Sequence, residues 1–226
     1  MRRHMKQSRQ HEHRVVNVDP TAVITTRHLV LRPAAVADAG EMVEVLADRA
    51  LYEFIGGEPP TVAELEHRYQ LLANRPIDAE EIWCNWIVRL AIDQRAVGFV
   101  QATVHPNGAT LAWMIGVKYQ GHHLASEAAQ AVTTWLVRHG VDQDKLTAHI
   151  HPDNRASQVV AARIGLVTHG QFDDDGEALW TFGIQDRTAP AANSKRSVSL
   201  RGRNRRALSH LPFGHIAQPG SVSSQY

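Results

Sequence analysis

A short turn between two predicted regular elements contains the residue types that bind phosphate groups. The turn QGHHLA runs from Gln120 to Ala125, between a predicted strand and a predicted helix. A helix N-terminus presents unpaired N–H groups and a partial positive charge, and small residues before it let the backbone approach an anion. Gly121 and Ala125 are such residues, and His122 and His123 could add charge or hydrogen bonds. An ordinary strand-to-helix turn explains the same residues, because one glycine is weak evidence.

Two hydrophobic periods alternate along the chain and predict the elements that position this turn. Apolar residues at every second position predict strands, at Ile24–Leu31, Ile82–Ala91, Ala96–Val104, Thr110–Val117, Lys145–His151, Val167–Phe172 and Glu177–Gly183. Apolar residues at every third or fourth position predict helices, from Asp38 past Leu46 and at Thr61–Leu72, Leu124–His139 and Asn154–Ile164. The order β-α-α-β-β-β-α-β-α-β-β predicts one mixed α/β domain without internal repeats.

Five segments of the chain resemble motifs of one enzyme family. They are TTRHLVLRP, AWMIGV, YQGHHLASEAAQAV, HPDNRASQVVAARIGL and GEALW, within residues 24–184. The family is the GNAT superfamily of N-acetyltransferases, and the resemblance is strongest to its ribosomal-protein-alanine (Rim-type) branch. It implies a central, mostly antiparallel, twisted sheet with splayed central strands, flanked by helices, over residues 23–185. It also implies an acyltransferase that moves an acetyl group from acetyl-CoA to a primary amine through a ternary complex.

The resemblance implies which residues bind acetyl-CoA. The family's loop usually follows the pattern Q/R-x-x-G-x-G/A, in which Gln120 matches the first position and Ala125 the last. His123 stands where glycine is usual, and a histidine is strained there if the position needs a positive φ. The residues predicted to contact the cofactor are Ile115, Val117, Gln120, Gly121, His122, His123, Leu124, Ala125 and Asn154.

Two polar residues match the family's later P-x-N-x-x-S segment. The resemblance implies that Asn154 contacts the pantetheine arm and that Ser157 lies near the thiol of the leaving coenzyme A. A hydroxyl at that point can protonate the thiolate, and a strand N–H near Ile115 can hold an oxyanion. Helix capping by Asn154, with Ser157 merely exposed, is the alternative explanation of the same residues.

The general base that deprotonates the attacking ammonium has several candidates. Glu53 lies in the segment YEFIGGE, and His149 and His151 share one face of a predicted strand because strand side chains alternate. Histidine changes its charge near neutral pH, which suits this task. We predict Ser157, Glu53 and His151 as catalytic residues, with His149 and a chain of water molecules as alternatives.

The charges of the chain are unevenly distributed. Residues 21–186 carry 12 basic and 21 acidic side chains, whereas residues 187–226 carry seven basic side chains and no acidic one. The acidic body favours a cationic acceptor, either a protein N-terminus or a small-molecule amine, and disfavours nucleic acid. Arms at 1–22 and 186–226 are predicted to be disordered. The alternative function is a non-catalytic or regulatory acyl-CoA-binding protein whose basic tail engages RNA or the ribosome.

Composition argues against several other classes. The single cysteine, Cys84, excludes an internal disulfide framework and is typical of a cytoplasmic protein. No apolar run approaches the ~18 residues that a membrane span requires. The 14 histidines include no H-x-x-x-H pair with a carboxylate partner, so no metal is expected. The sequence leaves the choice between a monomer and a homodimer open.

Overall fold

The computed structural model describes residues 16–74 and 81–183. Most of the predicted N-terminal arm and all of the predicted C-terminal tail lie outside these residues. Residues 16–22, which the sequence assigned to the arm, pack against the domain. The backbone N–H of Asn17 donates to the carbonyl of His139 at 3.0 Å, and Val18 is a buried core residue. The folded domain therefore begins before residue 23.

The described residues contain strands and helices in the predicted order. The strands β1 to β8 are Ile24–Thr25, Leu29–Pro33, Ile82–Leu90, Ala96–His105, Gly108–Ile115, Leu146–Ile150, Leu166–Phe172 and Ala178–Phe182. The helices α1 to α4 are Ala39–Val45, Val62–Ala73, Leu124–Arg138 and Arg155–Arg163. None of these helices combines the length and apolar character needed to cross a bilayer. The predicted mixed α/β class is confirmed.

One sheet contains all eight strands, in the order β1-β2-β3-β4-β5-β6-β8-β7. Every neighbouring pair is antiparallel except β5 and β6, which are parallel. That pair is short, since only Ala109 with Leu146 and Thr110 with Thr147 are matched. Beyond Thr110 the two strands diverge. The predicted mostly antiparallel sheet with splayed central strands is therefore present.

Helices cover both faces of this sheet. Val132 and Leu136 of α3 belong to one buried cluster, together with Val100 of β4. Met42 of α1 belongs to a second cluster, together with Phe99 of β4. Adjacent residues of β4 enter different clusters because strand side chains alternate between faces. The sheet is thus a central layer, and ligands can reach it only where its strands or helices separate.

The first predicted strand is interrupted, which corrects the continuous segment Ile24–Leu31. Residues 26–28 form the turn between β1 and β2, which pair antiparallel. Glu127 of α3 stabilises this turn from a distant part of the chain. Its Oε1 accepts hydrogen bonds from the Thr26 hydroxyl at 2.6 Å and from the His28 backbone N–H at 3.0 Å. The chain therefore reverses at residues 26–28, and the contacts with Glu127 fasten this turn to α3.

Candidate active site

Two adjacent cavities lie where β5 and β6 diverge. The larger has a volume of about 600 Å³ and the smaller about 90 Å³. Trp113 and Met114 of β5 line both, as do Asn154 and Ser157 at the start of α4. Because these residues belong to both linings, the cavities meet at the start of α4. The arrangement can bring two ligands together at one point.

The larger cavity brings together most of the residues predicted to bind acetyl-CoA. Its volume lies within the range of ordinary ligand pockets. Residues 50–55 and helix α4 supply much of its wall. The predicted cofactor residues that line it are Ile115, Val117, Gln120, Gly121, His123, Leu124, Ala125 and Asn154. His122, which is exposed, does not line the cavity, although Gly121 and His123 on either side of it do.

The turn before α3 exposes backbone amides to the larger cavity. Gly121 has a φ of 80°, and the Gln120 side chain donates to the carbonyl of Ile115 at 2.9 Å, which ties the turn to the end of β5. His123 is the N-cap residue of α3 and makes no side-chain capping bond. His123 therefore leaves the first N–H groups of α3 without a side-chain cap, and the anion site at this turn stays a prediction.

His123 adopts the left-handed conformation that glycine adopts most easily. Its φ is 63° and its ψ is 10°. That conformation costs a residue with a β-carbon about 1–2 kcal/mol. The His123 ring contacts the guanidinium of Arg163, and both side chains line the larger cavity. The position thus has a positive φ. Strain at His123 was predicted for a turn of this conformation, and the histidine carries it.

The start of α4 supports both explanations of Asn154 and Ser157. Asn154 is the N-cap residue, and its Oδ1 accepts a hydrogen bond from the Ser157 backbone N–H at 3.0 Å. Its capping role is therefore present. Ser157 is half-buried, and its hydroxyl makes no hydrogen bond within the described part of the chain. Both residues also line both cavities, so the cap holds Ser157 at the place where the cavities meet.

The smaller cavity is lined by a histidine that is held by an aspartate behind it. His149 of β6 lies on its wall, and Nδ1 of that ring is 2.7 Å from Oδ2 of Asp173. Oδ1 of Asp173 accepts the backbone N–H groups of Asp175 and Glu177, which fixes the carboxylate. A carboxylate at Nδ1 holds the proton on that nitrogen, so the lone pair of Nε2 is free to accept another.

The two other base candidates have different surroundings. Nδ1 of His151 accepts the backbone N–H of Asp153 at 3.2 Å, and its ring packs on Phe54 with 5.3 Å between ring centres. The neutral His151 ring therefore carries its proton on Nε2 and has no second lone pair to offer. Glu53 is exposed and lines the larger cavity, whereas His151 lines the smaller one.

Two polar residues of the smaller cavity were not predicted from the sequence. Glu177 is only 9% exposed, and burial, followed by the nearby Asp173 charge, raises the pKa of its carboxyl group. Gln101 is 2% exposed, and its Oε1 accepts no hydrogen bond from the described residues. The only signal in the sequence was an acidic residue directly before the apolar closing strand in GEALW.

The comparison with known families now identifies the class of this protein. The acetyltransferase (GNAT) domain family matches residues 28–167, which is more than half of the chain. The chain therefore belongs to the GNAT acetyltransferase family and is an acyltransferase of that family. The predicted family is confirmed. A search of curated proteins gives no match.

Solved structures share the fold at low sequence identity. A Vibrio cholerae protein, provisionally described as a ribosomal-protein-serine acetyltransferase, is 22% identical with a TM-score of 0.58, over 72% of this chain and 98% of its own. RimL, a ribosomal L7/L12 alpha-N-protein acetyltransferase, is 19% identical with a TM-score of 0.59, over 71% and 92%. The aminoglycoside acetyltransferase AAC(6')-Ib, solved with coenzyme A, is 18% identical with a TM-score of 0.54, over 67% and 92%.

Proposed function

We propose that this protein transfers an acetyl group from acetyl-CoA to a primary amine by direct attack within a ternary complex. The observation that carries the proposal is the meeting of two cavities at Ser157. One cavity ends in a helix N-terminus suited to phosphates, and the other is lined by His149, whose ring is held by Asp173. Family membership supports acetyl transfer. The space for two ligands side by side supports the direct-attack route.

The residues of the larger cavity fit acetyl-CoA. The backbone N–H groups between Gly121 and Ala125 would hold the pyrophosphate, and Arg163 adds a positive charge on the same wall. The unpaired edge of β5 up to Ile115 would hydrogen-bond the pantetheine arm, because β6 has already diverged there. Asn154 would contact that arm from the opposite side, as the family pattern implies.

Proton transfer in this proposal depends on two residues that line the smaller cavity, His149 and Ser157. Nε2 of His149 takes a proton from the attacking ammonium, because Asp173 keeps Nδ1 protonated. The Ser157 hydroxyl donates a proton to the thiolate that leaves, since no other described group competes for it. A backbone N–H at the end of β5, near Ile115, stabilises the oxyanion. Glu53 and His151 remain predictions with weaker support from the geometry.

The acceptor is a primary amine in this proposal, and the structural neighbours include proteins that act on ribosomal proteins and on aminoglycosides.

The experiment that tests the function has two stages. Thermal unfolding is followed with and without acetyl-CoA and coenzyme A, where a ligand at 100 times its Kd adds about 2.7 kcal/mol to the free energy of unfolding. Thiol release is then measured over a panel of peptides, alkylamines and aminoglycosides. An unchanged Tm with both ligands would refute acetyl-CoA binding, and no thiol release with any amine would refute the transferase activity.

A further inference from the structure

Glu177 is largely buried and lines the smaller cavity, and no described residue donates a hydrogen bond to its carboxylate. The residue directly precedes β8 and is 9% exposed. Its backbone N–H donates to Oδ1 of Asp173 at 2.9 Å, but this bond leaves the carboxylate oxygens unpaired. An unpaired carboxylate is unfavourable inside a protein unless a cation or a hydrogen-bond donor approaches it. The position therefore suits a ligand that carries positive charge.

The neighbours of Glu177 strengthen its preference for a positively charged ligand. A carboxylate oxygen of Glu177, one of Asp173 and a ring nitrogen of His149 all lie within 4.8 Å of one another. Asp173 is already satisfied, because it accepts two backbone N–H groups and faces His149. Glu177 is the member of this cluster that still lacks a partner. Burial and the Asp173 charge raise the pKa of Glu177, and a bound cation would oppose both effects.

The smaller cavity combines this charge with one further unpaired polar group and a largely apolar lining. Gln101 lines the same cavity, and its buried Oε1 is also without a hydrogen-bond partner among the described residues. A primary ammonium has three N–H donors, which matches the Glu177 carboxylate, Gln101 Oε1 and Nε2 of His149. The apolar wall residues are Ile55, Phe99, Leu111, Trp113, Met114 and Ile150. Hydroxyl groups placed against such walls would lose their hydrogen bonds to water.

We propose that Glu177 binds the acceptor's ammonium and selects a primary amine carried on a short apolar group. The N-terminus of a peptide that begins with alanine has this chemistry, and so does a short alkylamine. A polyhydroxylated aminoglycoside does not. The inference rests on the proposed acetyl transfer and assigns the acceptor side of the same site.

The test compares Glu177→Gln with Asp174→Asn in the full chain. Asp174 lies in the same acidic turn but is exposed and does not line the cavity, so its variant removes an equal charge without touching the site. Thiol release is measured at saturating acetyl-CoA with an alanine-starting peptide, n-propylamine and an aminoglycoside. Glu177→Gln should raise the KM for the peptide or the alkylamine about tenfold to a hundredfold, as expected for a lost charged hydrogen bond. Asp174→Asn should leave it unchanged.

Two further measurements separate binding from folding and from catalysis. Without ligand, Glu177→Gln should unfold at the same or a higher temperature, because it removes a buried unpaired charge, whereas a structural carboxylate would show a lower Tm. Calorimetric binding of n-propylamine to the coenzyme A complex tests Glu177 even if no amine is acetylated. If the original chain binds n-propylamine but acetylates no amine, the proposed function is refuted and the role of Glu177 in amine binding is not. An unchanged KM and an unchanged amine Kd in Glu177→Gln, preferred acetylation of the aminoglycoside, or Glu177-dependent stabilisation by Zn²⁺ would each overturn the inference.

Discussion

Replacing His123 by glycine tests whether the turn before α3 stores strain in the folded protein. His123 has a φ of 63°, a conformation that costs a residue with a β-carbon about 1–2 kcal/mol. Glycine removes this cost. It also increases the conformational freedom of the unfolded chain, which lowers the free energy of unfolding by about 0.5–1 kcal/mol. The lost contact with Arg163 is exposed, so its effect is small. We expect His123→Gly to leave the free energy of unfolding unchanged or to raise it by up to about 1.5 kcal/mol.

The neighbouring histidine provides a matched control for this substitution. His122 is exposed in the same turn but does not have a positive φ. His122→Gly therefore carries the unfolded-state cost without any relief of strain, and we expect it to lower the free energy of unfolding by about 0.5–1 kcal/mol. Urea unfolding gives both values, and a thermal scan should separate the variants by about 2–4 °C for each kcal/mol. The difference between the two variants isolates the strain at His123.

The effect on ligand affinity should differ from the effect on stability. If the turn keeps its conformation when acetyl-CoA binds, the strain is present in the free and in the bound protein alike, and it cancels in the Kd. His123→Gly should then bind acetyl-CoA about as tightly as the original chain. A stability equal to that of His122→Gly would refute the strain argument. A large change in Kd with unchanged stability would show that the side chain itself acts on the ligand.

Three further predictions concern the proton acceptor, a helix cap and the buried thiol. His149→Asn should lower kcat by about 10²–10⁴-fold at unchanged acetyl-CoA binding, whereas His151→Asn should lower it much less, and steady-state kinetics would contradict the assignment if the order were reversed. Thr61→Ala should lower the free energy of unfolding in urea by about 1 kcal/mol, because Thr61 and Glu64 form a reciprocal cap at the start of α2, and an unchanged urea midpoint would contradict it. Burial raises the pKa of Cys84 to about 12, so a thiol reagent at pH 8 should label the unfolded chain but not the native one, and rapid native labelling would contradict the buried position.

Local sequence signals predicted the elements well because their causes lie within a few residues. The cap at Thr61 is one case, since Thr61 accepts the Glu64 N–H and Glu64 accepts the Thr61 N–H. The turn before α3 is another, because only a few residues separate the strand from the helix that follows it. Such features need no knowledge of the rest of the chain. The element order then identified the fold.

The acceptor side of the site could not be predicted, because it depends on contacts between distant segments. His149 meets Asp173 only because β6 pairs with β8, and 24 residues separate the two side chains in sequence. Glu177 is buried by the same pairing, since Ile150 lies opposite Ala178. An isolated glutamate before a strand is usually exposed, so nothing in its local sequence marks it.

The opening that holds both cavities depends on how closely β5 and β6 approach at its closed end. Gly108 begins β5, and a β-carbon there would lie 2.1 Å from the carbonyl oxygen of Lys145, which directly precedes β6. Only glycine permits that approach, and its φ of 142° is one that other residues rarely adopt. The pairing reaches Thr110 and Thr147, two residues further along each chain, and ends there. The predicted strand began at Thr110 and left out Gly108, whose absent side chain lets the two strands meet at the apex of the opening. A side chain at this position would force β5 and β6 apart at their closed end, so the opening begins directly beyond this close contact.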